Sequence, residues 1–343
     1  MYSLVIIGAG PAGISLAVEA RAAGLPKEKI LIIEKAEAHS WVIRSLYPEN
    51  KLVTANYKGI KAVCHGVMSM PDLGKDETLS LLDNAIINTG VEVHYQEEVS
   101  KIASFHEDGK NRFEIETSNG VYESENVAIA IGIFGRPRKP SYKFPKELRK
   151  VVHYDVTSFD TTGERILVVG GGDTASENMQ YLHEKGNEVE LSYRGKEFHR
   201  MNAINNQSIL HLEEQDNVKL LRETNIEKVT VSEDGKALVH YKEIEPKVYD
   251  RLVYSLGGTT PQNFLKVMGI TFTEDSPDID DFGETGIKGL FLCGDLSLGK
   301  RGGSIISAFN ASRRTIEALC TRYLHCVVPI DQRDLTKWLE VKK

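Results

Sequence analysis

Two stretches carry the residue types from which a dinucleotide site is built. Gly8, Ala9, Gly10, Pro11, Ala12 and Gly13 form a GxGxxG run directly after the apolar stretch Leu4 to Ile7. Gly170, Gly171, Gly172, Asp173, Thr174 and Ala175 form a GxGxxA run directly after Ile166 to Val169. Glycines permit a tight turn, close approach of the backbone to a pyrophosphate and close packing of helix on strand, and the helix N-terminus adds unpaired amides and a positive dipole end. The residue ending the next strand then sets the ribose chemistry. Glu34, 21 residues after Gly13, is placed to accept hydrogen bonds from ribose hydroxyls. At the equivalent place the second run has Tyr193, then Arg194, Lys196, His199 and Arg200. A carboxylate there would repel a 2′-phosphate, whereas guanidinium and ammonium groups bind one through charge-assisted hydrogen bonds. The second loop is therefore read as favouring NADPH over NADH, the alternative being an ordinary solvated basic loop.

A third stretch lies far downstream. Gly289 to Cys293 reads as a short strand ending in Gly294 and Asp295, followed by Gly302, Gly303, Ser304 and Ile305 at the start of a helix. Ser304 has the N-cap chemistry. A reduced flavin is anionic along its pyrimidine edge, and the positive end of a helix suits that charge. The Ser304 helix is thus the expected seat of an isoalloxazine, with an acidic turn and a capped surface helix as the plain alternative.

These residues need two scaffolds. Each apolar run has the β-branched character of a strand buried on both faces of a parallel sheet, and each is followed by a helix and a second strand (Lys29 to Glu34, Glu188 to Tyr193), a βαβ unit. Between the units, a helix is expected from about Glu77 to Thr89, with strands at Val91 to Tyr95, Arg112 to Thr117 and Val121 to Ile131. After the second unit come Ile226 to Val231, Ala237 to Tyr241 and Val248 to Leu256. The order places one domain inside the other. Residues 1–135 and 248–343 are expected to form the first dinucleotide-binding domain and residues 136–247 the inserted one, with crossovers near Gly135 and Val248. The expected class is α/β with two Rossmann-like dinucleotide-binding domains. The 343 residues are ample for both, and 41% hydrophobic with 27% charged residues is an ordinary globular mix. With 42 Lys plus Arg against 49 Asp plus Glu, the net charge of −7 argues against a nucleic-acid partner. No apolar run has the length of a membrane span, and a cytoplasmic protein is expected.

Taken together, Gly8 to Gly13, Ala130-Ile131-Gly132, Gly170 to Ala175 and Gly294-Asp295 resemble the thioredoxin-reductase-like flavoproteins across nearly the whole chain. The resemblance implies a three-layer β/β/α architecture in both domains, FAD held by the first and last motifs, Ala130 and Gly132 where the chain leaves the FAD domain, NADPH in the inserted domain, and a homodimer. Tyr249 to Pro261 resembles the family's return strand. The second site resembles the family's HRRxxxR element, with Tyr193, Gly195 and His199 in place of His and two Arg. The family's CxxC is absent: the cysteines are Cys64, Cys293, Cys320 and Cys326. The pairs and the loop cysteine that serve related disulfide reductases are absent too, Ala12 standing in the loop. What remains is similar to the reductases that pass electrons from NADPH through FAD to ferredoxin or flavodoxin, the flavodoxin:quinone reductase group among them. Leu46-Tyr47-Pro48-Glu49 resembles the segment whose tyrosine stacks on the flavin in those enzymes, and a C-terminal aromatic cover there points to Trp338. In this reading no side chain is itself catalytic; the protein positions and tunes the cofactors.

Other readings stay open: an NADPH-dependent disulfide or quinone reductase, and a nucleotide-binding redox sensor without turnover. Cys64 beside His65 could make a reactive thiolate, but adjacency fixes no geometry. Cys320, His325 and Cys326 lack a fourth metal ligand, so structural cysteines and no metal are expected. Arg136, Arg138, Lys139, Lys143, Lys146, Arg149 and Lys150 against Glu147, together with Lys300 and Arg301, could steer an acidic carrier toward the flavin.

Overall fold

The computed structural model describes all residues except 50, 54–55, 58–59, 62, 108, 134–135, 157, 202, 216, 260–261, 275, 299–301 and 330–343. The expected crossover at Gly135, the Lys300–Arg301 pair and Trp338 lie outside the described residues.

The chain begins with β1 (Leu4–Ile7), α1 (Pro11–Ala22) and β2 (Ile30–Ile33). It continues through α2 (Trp41–Leu46), α3 (Lys75–Thr89) and β3 (Glu92–His94). A meander of β4 (Val99–Glu107), β5 (Lys110–Thr117) and β6 (Val121–Ser124) precedes β7 (Val127–Ile129). The second unit runs β8 (Val152–His153), β9 (Arg165–Val169), α4 (Asp173–Glu184), β10 (Glu188–Tyr193), α5 (Ala203–Leu212) and β11 (Val218–Arg222). A second meander, β12 (Ile226–Val231), β13 (Ala237–Tyr241) and β14 (Lys247–Tyr249), leads to β15 (Arg251–Tyr254). The chain then returns through β16 (Leu290–Leu292), α6 (Asp295–Leu298) and α7 (Ile305–Leu319).

Two five-stranded sheets result, ordered β16-β7-β1-β2-β3 and β8-β15-β9-β10-β11, every pairing parallel. Central parallel strands are covered on both faces, which is why β1 (LVII) and β2 (ILII) are apolar without interruption. Leu4 and Ile6 pack with Leu16, Ala20, Ala311 and Leu319 of α1 and α7, while Val5 and Ile7 pack with Ile102, Phe113 and Ile115 of the first meander. The second domain repeats the scheme. Ile166 and Val168 meet Met179 and Leu182 of α4, and Leu167 meets Val229, Val239 and Tyr249 on the meander side. Losing one such side chain, as in Ile6→Ala, would cost about 2–5 kcal/mol. This is the three-layer arrangement, twice over.

Three expectations change. Val121 to Ile131 is two strands, not one: β6 pairs with β5 in the meander and β7 with β1 in the parallel sheet. Val248 to Leu256 also divides, β14 pairing with β13 and β15 with β9. The second sheet therefore includes residues through Tyr254. The two connecting passages meet as a small antiparallel pair, Arg136–Pro137 with Gly258–Thr259. Finally, α3 starts at Lys75 rather than Glu77, because the Glu77 carboxylate accepts from the Gly74 N–H at 2.8 Å and caps the turn before it.

Candidate functional site

Both glycine loops leave a parallel strand and enter a helix with no side-chain cap, α1 opening at Gly10 and α4 at Gly172. The first amides of each helix thus have no side chain closing over them. A Cβ at Gly8 would lie 2.7 Å from the Ala130 carbonyl oxygen, and one at Gly13 would lie 2.0 Å from that of Gly8. These glycines permit contact between loop, helix and β7. Gly10 differs: a Cβ there would meet nothing within 4 Å. The second loop repeats the pattern, with Gly170 closed by the Ser255 carbonyl at 2.5 Å and Gly172 facing open space. An open cradle at the middle glycine, in front of uncapped amides, fits a pyrophosphate in both places.

Glu34 is wired into the first loop. Its two carboxylate oxygens accept from the Ala9 N–H at 2.8 Å and the Ala36 N–H at 2.9 Å. A brace absent from the sequence reading stands behind it. The Ser40 N–H donates to the Ala9 carbonyl, and His39 spans from Ser40 Oγ (3.0 Å) to Asp83 Oδ1 on α3 (2.5 Å), with Arg44 alongside. Burial holds the His39 imidazole below its usual range against the pull of Asp83. Histidine, serine and aspartate at such spacings give no sequence pattern, which is why the brace was not foreseen.

The downstream motif closes on the same place. Ala130 donates its N–H to Ile7 at 2.7 Å, and Gly132 takes a left-handed turn (φ +67°) beyond it. Gly294, also left-handed, lies so close to α1 that a Cβ would sit 2.7 Å from that of Ala12. Asp295 accepts from the Gly303 N–H at 2.8 Å, and a Cβ at Gly302 would come within 2.6 Å of its carboxylate. Burial pushes the Asp295 carboxyl up, opposed by the Gly303 amide. Ser304 is the N-cap of α7 as expected, its Oγ accepting from Ser307 N–H at 3.0 Å, with Ile305 buried in the first turn. Tyr47 follows α2, its phenol pushed up by burial, with the Lys75 ammonium donating to its carbonyl at 2.8 Å.

At the second loop, Tyr193 does structural work. Its ring lies where a Cβ of Gly171 (2.2 Å) or Gly195 (2.7 Å) would go, and it stacks on Phe198 at 5.0 Å. Gly195 is therefore the counterpart of Tyr193: the ring needs the space that an arginine would fill. Arg194, Lys196, His199 and Arg200 are exposed around this wedge, and the Arg200 backbone pairs with Gly172. The Arg222 guanidinium is already engaged with Glu213, at 2.8 and 2.9 Å. Asp173 and Thr174 form the first turn of α4, where Asn205 donates to Asp173 at 3.1 Å, and Ala175 is buried against the sheet.

The thiols are not poised for chemistry. Burial pushes both Cys64 and Cys293 up, the latter fully enclosed beside Ser312. Cys320 and Cys326 are joined in a disulfide, which the sequence reading did not foresee. Among the described residues no cluster of His, Cys, Asp or Glu could hold a metal, and no helix is long and apolar enough to cross a membrane.

Residues 5–294 match the family model described as pyridine nucleotide-disulphide oxidoreductase, and the chain belongs to that family. It is therefore placed among the oxidoreductases. The chain is 29% identical to the ferredoxin–NADP reductase of Ignicoccus hospitalis, covering 87% of this chain and 90% of that protein. It is 27% identical to the enzyme of the same name from Pediococcus pentosaceus, over 86% of this chain and 85% of that one. Among solved structures it is similar to the bacillithiol disulfide reductase of Staphylococcus aureus (TM-score 0.77, 21% identity, 94% of this chain and 99% of that one). The thioredoxin reductase of T. acidophilum is a further match (TM-score 0.75, 22% identity, 94% and 99%). These structures share the fold.

Proposed function

We propose that this oxidoreductase passes electrons from NADPH, through FAD, to a small acidic carrier protein, a ferredoxin or a flavodoxin. The observation that carries the reading is the pair of open cradles at Gly10 and Gly172 in one chain, with no reactive thiol among the described residues to relay electrons onward. FAD supplies the link between a two-electron donor and a one-electron acceptor. The first loop with Pro11 and Ala12 holds its pyrophosphate, Glu34 its ribose, Ala130, Gly132, Gly294 and Asp295 its middle portion, and the start of α7 the pyrimidine edge. Tyr47 stacks on the ring system. NADPH lies on the second loop, its 2′-phosphate held by Arg194, Lys196, His199 and Arg200 around the Tyr193 wedge. The relatives named ferredoxin–NADP reductase support the acceptor class. A cytoplasmic homodimer is part of the same reading, the oligomer being checked by sedimentation.

Arg138, Lys139, Lys143, Lys146, Arg149 and Lys150 are all exposed. On a chain of net charge −7, this local excess gives an acidic carrier a landing place. The test is anaerobic reduction by NADPH followed by rapid mixing with purified ferredoxin or flavodoxin. Both acceptors staying oxidised would end the proposal. Arg149→Glu with Lys150→Glu should slow carrier reduction and flatten its salt dependence, since screening already sets in at a Debye length of about 8 Å in 0.15 M salt. Reduction of ferricyanide should be unchanged; if both acceptors fall together, the patch serves folding instead of docking.

A further inference from the structure

Lys51 belongs to no motif, yet it joins the two domains. Its ammonium lies 4.4 Å from the centre of the Tyr47 ring and forms an ion pair with Glu177, on the second turn of α4. The pair is largely shielded, the side chains being 14% and 13% exposed. Burial works against the Lys51 charge, but Tyr47 and Glu177 outweigh it and hold the ammonium above its usual range. Asn205 bridges Glu177 and Asp173 at 3.3 and 3.1 Å, so two carboxylates sit together at the start of α4. That helix end is also the proposed cradle for the second pyrophosphate, and without the nearby Lys51 charge the carboxylates there would oppose its binding. Removing one partner of a shielded pair leaves the other charge uncompensated, so such a contact holds its two elements together more firmly than a surface pair does.

We propose that Lys51 is a positioning residue: with Glu177 it holds α4 and the second glycine loop against Tyr47, fixing the two cofactor sites in the relative orientation used for electron transfer, and it offsets the carboxylates that face the pyridine nucleotide. This rests on the FAD and NADPH reading above.

The test compares Lys51→Met, Glu177→Gln and Lys51→Arg in purified, flavin-replete protein, with circular dichroism as the check on folding. Flavin reduction by NADPH should slow by about tenfold or more in the first two, and Lys51→Arg should recover most of the rate. NADP+ binding, read by calorimetry, should part company with the rate: weaker in Lys51→Met, unchanged or tighter in Glu177→Gln, because the latter also removes a repelling charge. A purely electrostatic role would move binding alone. Reduction rates within about twofold of wild type in both variants would overturn the proposal. The domain contact is read separately by hydrogen exchange. Residues 47–53 should lose protection in Glu177→Gln, a change made on the other domain; unchanged protection overturns the contact whatever the rates show. Wild-type protein that neither retains flavin nor binds NADP+ would defeat the functional reading, and the exchange result would still decide the contact.

Discussion

At the first glycine loop the residue ending the neighbouring strand, Glu34, reaches back and binds the loop itself through the Ala9 N–H. At the second, Tyr193 lays its ring against Gly171, and the cations that follow it stand exposed at the rim. The backbones are alike, each with a closed first glycine and an open middle one. The difference is one of wiring. In the first unit a single carboxylate braces the loop and, in the proposed reading, also binds the ribose, so the two tasks could not be changed separately. In the second an aromatic ring braces, and in the proposed reading separate cations select, so coenzyme preference could be changed while the loop stays intact.

The strongest blow to this comparison comes from Gly13→Ala. The added carbon would lie 2.0 Å from the Gly8 carbonyl, a backbone atom that cannot turn aside. The variant should be colourless or insoluble, read from visible absorbance after purification, whereas Gly171→Ala should keep its flavin and lose NADP+ binding through overpacking worth about 1–3 kcal/mol. Restoration of binding by adding Tyr193→Ala would sharpen the wedge assignment. Next in size, Arg194→Ala with Arg200→Ala should raise KM for NADPH about 10- to 100-fold, from about 1.5–3 kcal/mol of lost charged hydrogen bonding, with little change for NADH. Equal losses for both coenzymes would show that these cations do not read the 2′-phosphate. Asp295→Ala should weaken FAD retention by about tenfold in a dialysis titration and leave NADP+ affinity alone, since its bond to Gly303 lies on the first site only. The smallest effect is expected from the thiols. Replacing Cys64 by serine and Cys293 by alanine should leave NADPH-to-acceptor transfer largely intact. Opening Cys320–Cys326 by double substitution should lower unfolding stability by about 2 kcal/mol without touching that rate. Activity lost in a folded, flavin-replete Cys64 variant would favour a thiol mechanism instead.

The central parallel strands β1, β2 and β9, both loops and the Ser304 cap were legible because each is a local pattern, a continuous apolar run, a fixed glycine spacing or a cap residue, whereas the short or mixed edge strands β8 and β11 were not foreseen. What was missed depended on distant or irregular partners. β4 escaped because a register shift between Val99 and Lys101 breaks its alternation, leaving only Val99 and Ile102 fully buried in a strand otherwise mostly exposed. The break between β14 and β15 is set by Asp250, whose carboxylate accepts from Arg165 N–H at 2.8 Å across the domain. The Cys320–Cys326 bridge could not be read from spacing, because residues six apart on an α-helix point to different sides. A π-turn from Cys320 to Leu324 and a left-handed His325 (φ +51°) bring them together. Lys51 was invisible for the same kind of reason: its partner is 126 residues away, on the other domain.

The bridge gains meaning from its place on α7. Ser304 caps one end of that helix and Cys320 follows the other, fifteen residues or about 22 Å along the axis. If the capped end seats the flavin, as proposed, the crosslink stands at the far pole, separated from the redox centre by the length of a helix. Cys320 is buried while Cys326 is only partly so, and the bridge is approached from the Cys326 side. Thiol in a storage buffer is then expected to shorten the life of the folded protein and leave its rate of electron transfer unchanged.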